Sequence, residues 1–387
     1  MNAIERHDLA ILGGGCAGLS LARELALRQV QSRVIVFEPR KIYNDDRSWC
    51  FWSTPEHRYS SLVSHTWPQW LFSRQSHGKQ ERDCEGYSYQ YVRSANFYHD
   101  ALEQAAQCAS IEIKLGTSVT TVEPYQNGWH IITPEQTYFA SYIVDTRPPE
   151  KEHLERSTLF QCFLGAEIVL KSPSRLDPTQ VELMTEMRIV DEDFCFTYVL
   201  PFTPEHLLVE VTFFSKRPLS HAAMQHAFTA LLVHRGWETA KILRTEQASL
   251  PMGLPHTQTS NGTRSSRYLH AGMRGGALRA SSGYAFMRIQ RWAECCAKQF
   301  CEQGTLSTQT GSSFWLQQMD HLFLTVIHNQ PSLAPILFEK LLGIPQTERF
   351  LRFMNDRATL SDCLHIVACL PKPPFLKALF AMSFNRS

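Results

Sequence analysis

The chain has 387 residues, a length that suggests two or three structural units at about 150 residues each. Apolar residues make up 43% and charged residues 19%; the 8 Trp, 23 Phe and 12 Tyr would collapse any disordered chain, so disorder is excluded. With 38 basic against 37 acidic side chains the net charge is +1, no global field draws the protein to nucleic acid, and no such partner is expected.

No stretch reaches the roughly 18 uncharged apolar residues of a spanning helix. The opening MNAIERHDLAIL lacks the basic, apolar and small-residue blocks of a secretory leader. Asp8 to Leu12 reads as a short apolar strand, Gly13 to Gly18 as a glycine turn, Leu19 to Arg28 as a helix, and Val34 to Phe37 as a buried strand ending at Glu38. From Asp45 to Tyr91 the sequence is irregular, with weak strand signals. A helix is predicted over Phe97 to Gln107. Alternating segments follow near Ile111 to Leu115, Ser118 to Val122, Trp129 to Thr133 and Tyr142 to Val144, with a hairpin turn at Asn127-Gly128. Pro148 and Pro149 mark a crossing between domains.

Strands are predicted over Phe160 to Leu170, Val181 to Met187, Phe194 to Leu200 and Leu207 to Phe214, at a spacing that suits an antiparallel sheet. A helix near His221 to His234 and a polar, glycine-containing loop from Gly253 to Ser266 come next. After Tyr268 a glycine-rich segment leads into a helix through Ile289 and Ala297. From about Trp315 to Ser387 the chain reads as helices punctuated by Pro331, Pro335, Pro345, Pro371, Pro373 and Pro374. The eleven cysteines, without a C-x-x-C pair, suit the structural thiols of a reduced intracellular protein. No metal is expected: Cys295 and Cys296, with Cys301 nearby, fall on a predicted helix where neighbours point in different directions.

The strongest local signal is Gly13-Gly14-Gly15-Cys16-Ala17-Gly18, a G-x-G-x-x-G turn between strand and helix. Gly13 permits the tight turn, Gly15 lets a pyrophosphate approach the backbone, and Gly18 allows close helix–strand packing. The N-terminus of the helix, including Ala17, offers N–H groups to the phosphates. Glu38, twenty residues past Gly18, stands where an acid accepts hydrogen bonds from a ribose. The motif alone does not separate FAD from NAD. The apolar strand Ile143-Val-Asp145-Thr-Arg147 and the turn from Ala271 to Gly283, with Gly272 and Gly283, favour FAD, because flavoproteins complete their nucleotide-binding half with such later segments. That turn lacks the acid by which many FAD monooxygenases hold the ribityl chain.

On these residues the chain resembles the lycopene cyclase family of flavoproteins over nearly its whole length. Further carriers are Tyr198-Val-Leu-Pro-Phe202, Leu208-Val-Glu210-Val-Thr212, Pro251-Met252, Ser282-Gly283-Tyr284, and the late run Glu348-Arg-Phe-Leu-Arg352 through Pro371-Lys-Pro-Pro374. The resemblance implies reduced FAD, with NAD(P)H as reductant, and lycopene as the carotenoid substrate. It implies formation of β-ionone end rings, via γ-carotene to β-carotene, by non-redox acid–base chemistry of an isomerase or intramolecular lyase. Glu210 falls on the family's catalytic acid and Glu246 on a second acidic position. Arg93 and Val119 join Gly13, Gly15, Ala17, Gly18, Glu38, Asp145, Gly272 and Gly283 as cofactor contacts. A carboxyl in an apolar pocket stays protonated by desolvation and so serves as acid.

Alternatives stay open for several of these residues. Glu210 on an apolar strand can instead point outward, with Val211 leaving its polar partner unspecified. Arg93 also reads as a surface arginine, and Asp45-Asp46-Arg47-Ser48-Trp49 as either a cofactor or tunnel motif or a solvated turn. Trp49, Phe51, Trp52, Trp67, Trp70 and Phe194 to Tyr198 are candidates for a carotenoid channel or for plain core. The C-terminal segment from Leu370, with Lys372, Phe375, Leu376, Lys377, Leu379 and Phe380, suits peripheral contact with the inner face of a membrane, or a helix packed on the body. The competing functions are an FAD monooxygenase acting on a hydrophobic substrate, and a non-catalytic carotenoid binder that tolerates loss of Glu210. The expected fold is α/β (α+β overall): a Rossmann-like FAD-binding domain of the glutathione-reductase/hydroxylase type over 1–150 and 267–300, an inserted antiparallel-sheet substrate domain over 151–266, and a helical region over 301–387.

Overall fold

The computed structural model describes residues 4–255, 267–308 and 312–384. The glycine-turn unit forms as read: β1 (Glu5–Leu12) runs into α1 (Cys16–Leu27) and returns as β2 (Val34–Glu38), parallel to β1. Leu9 to Leu12 and all of β2 are buried, as strands covered on both faces must be. The weak strand signals before residue 93 resolve into five strands: β3 (Ser48–Ser53), β4 (Val63–Trp67), β5 (Gln69–Phe72), β6 (Gln80–Asp83) and β7 (Ser88–Arg93). Next come α2 (Ser94–Ala106), β8 (Ile111–Leu115), the hairpin β9 (Thr121–Tyr125) and β10 (Gly128–Ile132), β11 (Thr137–Asp145), and the single turn α3 (Lys151–Leu154). The first sheet is parallel in the order β8-β2-β1-β11. The beginning of β11 carries the antiparallel β10–β9 hairpin, and its end pairs with the short parallel strand β17 (Tyr268–His270).

The second sheet is built from β12 (Leu159–Val169), β13 (Gln180–Val190), β14 (Asp193–Pro201), β15 (His206–Ser215) and β16 (Lys241–Met252), in the order β16-β12-β15-β14-β13-β5-β6. Neighbours are antiparallel except β13 and β5. Two features depart from expectation. Residues 241–252 form a long strand, and β5 and β6 extend this sheet from far upstream. The alternation of β16 is muted because Ile242 and Leu243 are both partly exposed, at 47% each, while the strand is held by pairing along its length with β12. The predicted loop from Gly253 to Ser266 lies, beyond residue 255, outside the described residues.

One face of this sheet is covered by α4 (His221–Arg235), capped by Ser220 Oγ accepting from Ala223 N and ended by Gly236 at φ +69°. Val209, Val211 and Phe213 of β15 and Cys162, Leu164 and Ala166 of β12 pack there with Met224, Phe228 and Leu231 of α4. Each such side chain, fully buried, contributes about 1.5–3 kcal/mol. This face fixes the register, since a slip of one residue would drive Glu210 into the apolar layer and turn Val209 outward.

The third sheet, in the order β3-β7-β4, lies between β2 and α2 in the chain. After β17 come α5 (Phe286–Gln303), which packs on α1, and then α6 (Phe314–Asn329), α7 (Ala334–Leu342), α8 (Thr347–Met354), α9 (Leu360–Cys369) and α10 (Lys372–Phe384). The prolines noted in the sequence stand at the breaks, where a missing N–H and a fixed φ cost least. Arg279, fully buried, is bridged to Asp320 of α6 and donates to the Phe353 carbonyl, which ties the glycine-rich segment to the C-terminal helices.

Candidate active site

The glycine turn is built around a phosphate-sized opening. Gly13 takes φ +96°, and a Cβ there would stand 2.9 Å from Thr146 Oγ1. A Cβ at Gly18 would overlap the Gly13 carbonyl oxygen, whereas at Gly15 no atom lies within 4 Å of that position. Helix α1 begins beside this open space with no side-chain cap and no acid in its first turn, so its leading N–H groups have no intrahelical partner. Gly272 takes φ +65°, and a Cβ there would stand 3.3 Å from Ala17 Cβ, so the later glycine segment runs beside the start of α1. Thr146 Oγ1 donates to the Leu12 and Gly13 carbonyls. The open approach at Gly15 and the uncapped helix start fit the pyrophosphate of a dinucleotide.

Glu38 stands at the end of β2, where its carboxylate accepts from Gly14 N at 2.8 Å and from Arg40 N and Nε, each at 2.8 Å. Burial pushes its pKa up, but the bonds and charge of Arg40 outweigh this and hold it below the ordinary value. Val119, in the loop between β8 and β9, packs against the apolar cluster that includes Phe37. Asp145 closes β11 with its carboxylate bridged to Arg147 and accepting from Tyr268 Oη at 2.8 Å; it is Thr146, its neighbour, that touches the glycine turn. Arg93 is ion-paired with Asp45 and lies 3.4 Å from Glu167.

The antiparallel sheet sets a single row across the face opposite α4. Tyr198 of β14 pairs with Glu210 of β15, Glu210 with Gly165 of β12, and Gly165 with Glu246 of β16. Neighbouring strands lie about 4.8 Å apart, so the two glutamates stand on backbones about 10 Å apart with only a glycine between them. A Cβ at Gly165 would meet the Glu210 Cβ at 3.3 Å and its Cγ at 3.4 Å. The space between the carboxylates therefore exists because residue 165 has no side chain. Burial and the neighbouring Glu246 charge push Glu210 up to about 8, against a single opposing hydrogen bond from Thr212 Oγ1 at 2.6 Å. The polar partner left unspecified by Val211 is thus Thr212, two residues on and on the same face.

The two glutamates are unequal. Among the described residues no cation lies within ion-pair distance of Glu210, whereas Arg244 is 3.4 Å from Glu246. Burial raises the Glu246 pKa and Arg244 opposes the rise. Arg244 is the centre of a wider network: it bridges Glu167 at 2.7 Å and Asp45 at 3.4 Å and donates to Ser48 Oγ and Tyr91 Oη. His206 adds a 2.7 Å contact to Glu167. Asp45 and Ser48 are thus part of a connected network and not a solvated turn. Sequence reasoning missed Gly165, Arg244 and Tyr91; the register of β12 and β16 that joins them was not visible.

The whole chain can be compared with known proteins. A family model described as lycopene cyclase protein matches residues 8–380. The chain belongs to the lycopene cyclase family. It is 27% identical to a lycopene beta-cyclase of Pseudescherichia vulneris over 96% of each chain. It is 22% identical to a lycopene beta-cyclase of Pantoea ananas over 97% of this chain and 98% of that one. Among solved structures, a geranylgeranyl bacteriochlorophyll reductase-like protein of Thermoplasma acidophilum superposes with a TM-score of 0.62 at 12% identity, over 97% of this chain and 99% of the other. Halogenase PltM does so with 0.60 at 13% identity, over 94% and 85%. These likenesses concern the fold, which is the expected one: mixed α/β with a Rossmann-type half of the FAD-binding kind, followed by C-terminal helices.

In this lycopene cyclase family member a small apolar cavity of about 40 Å³ reaches the row at Tyr198. Trp52, Tyr198 and Tyr284 line it, and Tyr198 is the cross-strand neighbour of Glu210. Tyr89 Oη lies 3.3 Å from Tyr284 Oη, and the half-buried Cys50 thiol shares this environment, its pKa raised first by burial and then by the Glu246 charge. Gly283, at φ +70°, seats the glycine-rich segment against Gln161 of β12. The same segment therefore lies beside the glycine turn at Gly272 and the antiparallel sheet at Gly283.

Of the aromatic channel candidates, Trp52 and Tyr198 line this cavity. Trp67, Trp70, Phe194 and Phe196 are almost fully buried core. Trp49 and Phe51 stack on Phe286 in a separate cluster. They do so because β3 turns alternate side chains to opposite sides.

Proposed function

We propose that the protein is a lycopene beta-cyclase, an isomerase of carotenoid biosynthesis that closes β-ionone rings on lycopene, via γ-carotene to β-carotene, without net redox change. The observation that carries this reading is the row Tyr198–Glu210–Gly165–Glu246, whose Tyr198 lines an apolar cavity, in a chain of the lycopene cyclase family. Glu210, protonated at neutral pH, delivers its proton to the end-group double bond. Ring closure leaves a tertiary carbocation, for which the faces of Trp52, Tyr198 and Tyr284 are the nearby π surfaces. Glu246, the carboxylate with a cation beside it, accepts the different proton that leaves. The proton gained by Glu246 balances the one lost by Glu210, and exchange with solvent restores the pair.

The residues that would hold FAD are Gly13, Gly15, Ala17, Gly18 and Glu38 with Gly272 and Gly283; Arg93, Val119 and Asp145 complete the proposed contacts. When bound in reduced form, with NAD(P)H as reductant, FAD supplies an electron-rich, anionic surface that favours the cation. In this reading residues 1–150 and 267–300 bind cofactor, apart from β5 and β6. Residues 151–266 carry the reacting carboxylates, and 301–387 cover the hydrocarbon. Contact is with the inner face of a membrane, where such a substrate dissolves.

The test is anaerobic incubation of the protein with lycopene in liposomes and dithionite-reduced FAD, with Glu210→Gln alongside. Ring products without flavin oxidation, absent in the variant, support the reading. Oxygen-dependent NADPH turnover with a hydroxylated product and no rings would replace it with a monooxygenase.

A further inference from the structure

A second cavity, of about 210 Å³, lies among α6, α7, α8, α9 and α10. It shares Ser281, Ser282, Phe338, Leu341 and Met354 with the cavity that ends at Tyr198, so the two are consecutive chambers of one apolar passage. Its far end is marked by three residues that line it and are also exposed: Val367 at 47%, Leu376 at 52% and Leu379 at 47%. Around this mouth the surface stays apolar, with Leu360 and Phe380 each 66% exposed and Leu364 62%. Six large apolar side chains left to water on two short, adjacent helices form a patch that a soluble surface does not need. Helices α9 and α10 are bent by 108° at their junction, and among the described residues no single helix is long and apolar enough to cross a membrane.

Charge points to the occupant of this patch. Lys372 and Lys377 are exposed on α10, which carries no acid, and the one acid of α9, Asp362, is buried and bridged to Arg352. Apolar side chains with lysines beside them are the composition of a helix lying in the interface of an anionic bilayer. We propose that α9 and α10 rest on an anionic lipid surface and that the mouth at Val367, Leu376 and Leu379 is the portal through which a linear hydrocarbon passes, end first, from lipid to Glu210. This rests on the reading that the substrate is a carotenoid. It places that substrate's path through the C-terminal helices, and the part still outside the passage stays in the bilayer while its end reacts.

The test uses the full chain loaded with FAD and vesicles of phosphatidylcholine and phosphatidylglycerol that hold no carotenoid. In a flotation gradient the wild type rises with the vesicles, and Leu379→Asp/Phe380→Asp lowers the bound fraction by roughly tenfold or more. Leu341→Trp, and independently Met354→Trp, obstruct the junction of the two chambers. Both float like wild type and melt as it does, but lose the fluorescence enhancement of diphenylhexatriene, a linear polyene hydrocarbon, measured without vesicles. A doubly substituted rim that floats like wild type overturns the proposal. So does a wild type that stays unbound and elutes as a dimer dissociated by the same substitutions, which would mean that a second copy covers this face. Flotation and probe binding as expected, with no cyclisation of lycopene, support the portal and remove the cyclase reading.

Discussion

Replacing Glu210 by Gln should abolish activity and at the same time stabilise the protein at alkaline pH. The folded state raises this carboxyl from its ordinary 4.5 to about 8, chiefly by burial and then by the charge of Glu246. The native protein therefore holds a proton that the unfolded chain has released, and stability falls as pH rises through that window, levelling off above it. At about 1.4 kcal/mol per pKa unit, the ionised carboxylate destabilises the fold by roughly 3–5 kcal/mol, the lower figure allowing for solvent reaching the cleft. Glutamine has nearly the same shape, still accepts from Thr212 and never ionises. In thermal or urea unfolding the variant should exceed wild type by about 3–5 kcal/mol near pH 9 and match it near pH 4. Cyclisation should drop by about 10²–10⁴-fold at every pH, as for loss of a general acid. A variant no more stable than wild type at high pH would refute the claim that the site holds a protonated carboxyl. Full activity would remove Glu210 from the chemistry.

Gly165→Ala places a methyl 3.3 Å from the Glu210 Cβ. It should keep the circular dichroism spectrum and melt within about 1–2 kcal/mol of wild type, yet lose roughly tenfold or more in ring formation. Gly15→Ala should fold normally and bind FAD at least about tenfold more weakly by fluorescence titration, because its methyl enters open space at the phosphate approach. Gly18→Ala, whose methyl overlaps Gly13, should instead fail to give soluble, cooperatively melting protein. Arg244→Gln leaves Glu167, Glu246 and Asp45 without their shared cation and should destabilise by about 3–5 kcal/mol near neutral pH, shrinking below about pH 4 as the carboxylates take protons.

The glycine-turn unit was legible because glycines report backbone constraints directly: Gly13 at positive φ, Gly15 beside open space and Gly18 against the Gly13 carbonyl have the backbone geometry that their spacing implied. Glu210 was legible only through the family segment, since alternation on β15 allows either face to be outer. The covering helix α4 decides it, and nothing in the pattern of β15 itself says which face this next element of the chain will cover. The row through Gly165 was out of reach for a different reason. It depends on which strand pairs with which and at what offset, and β16 is weakly patterned because part of it faces solvent. The C-terminal helices could be read from their prolines, but the cavity among them arises from packing between five elements that no local pattern encodes. Trp67 and Trp70, which by residue type suit a channel or plain core, fill core, a choice that only packing makes.

The most direct test of acid–base cyclisation is to run the anaerobic reaction in deuterium oxide and weigh the product. Each β-ionone ring should carry one deuterium, at the carbon that received the acid's proton, with no oxygen consumed and the flavin still reduced at the end. Unlabelled rings, or product formed only as oxygen and NADPH are consumed in step, would contradict the account.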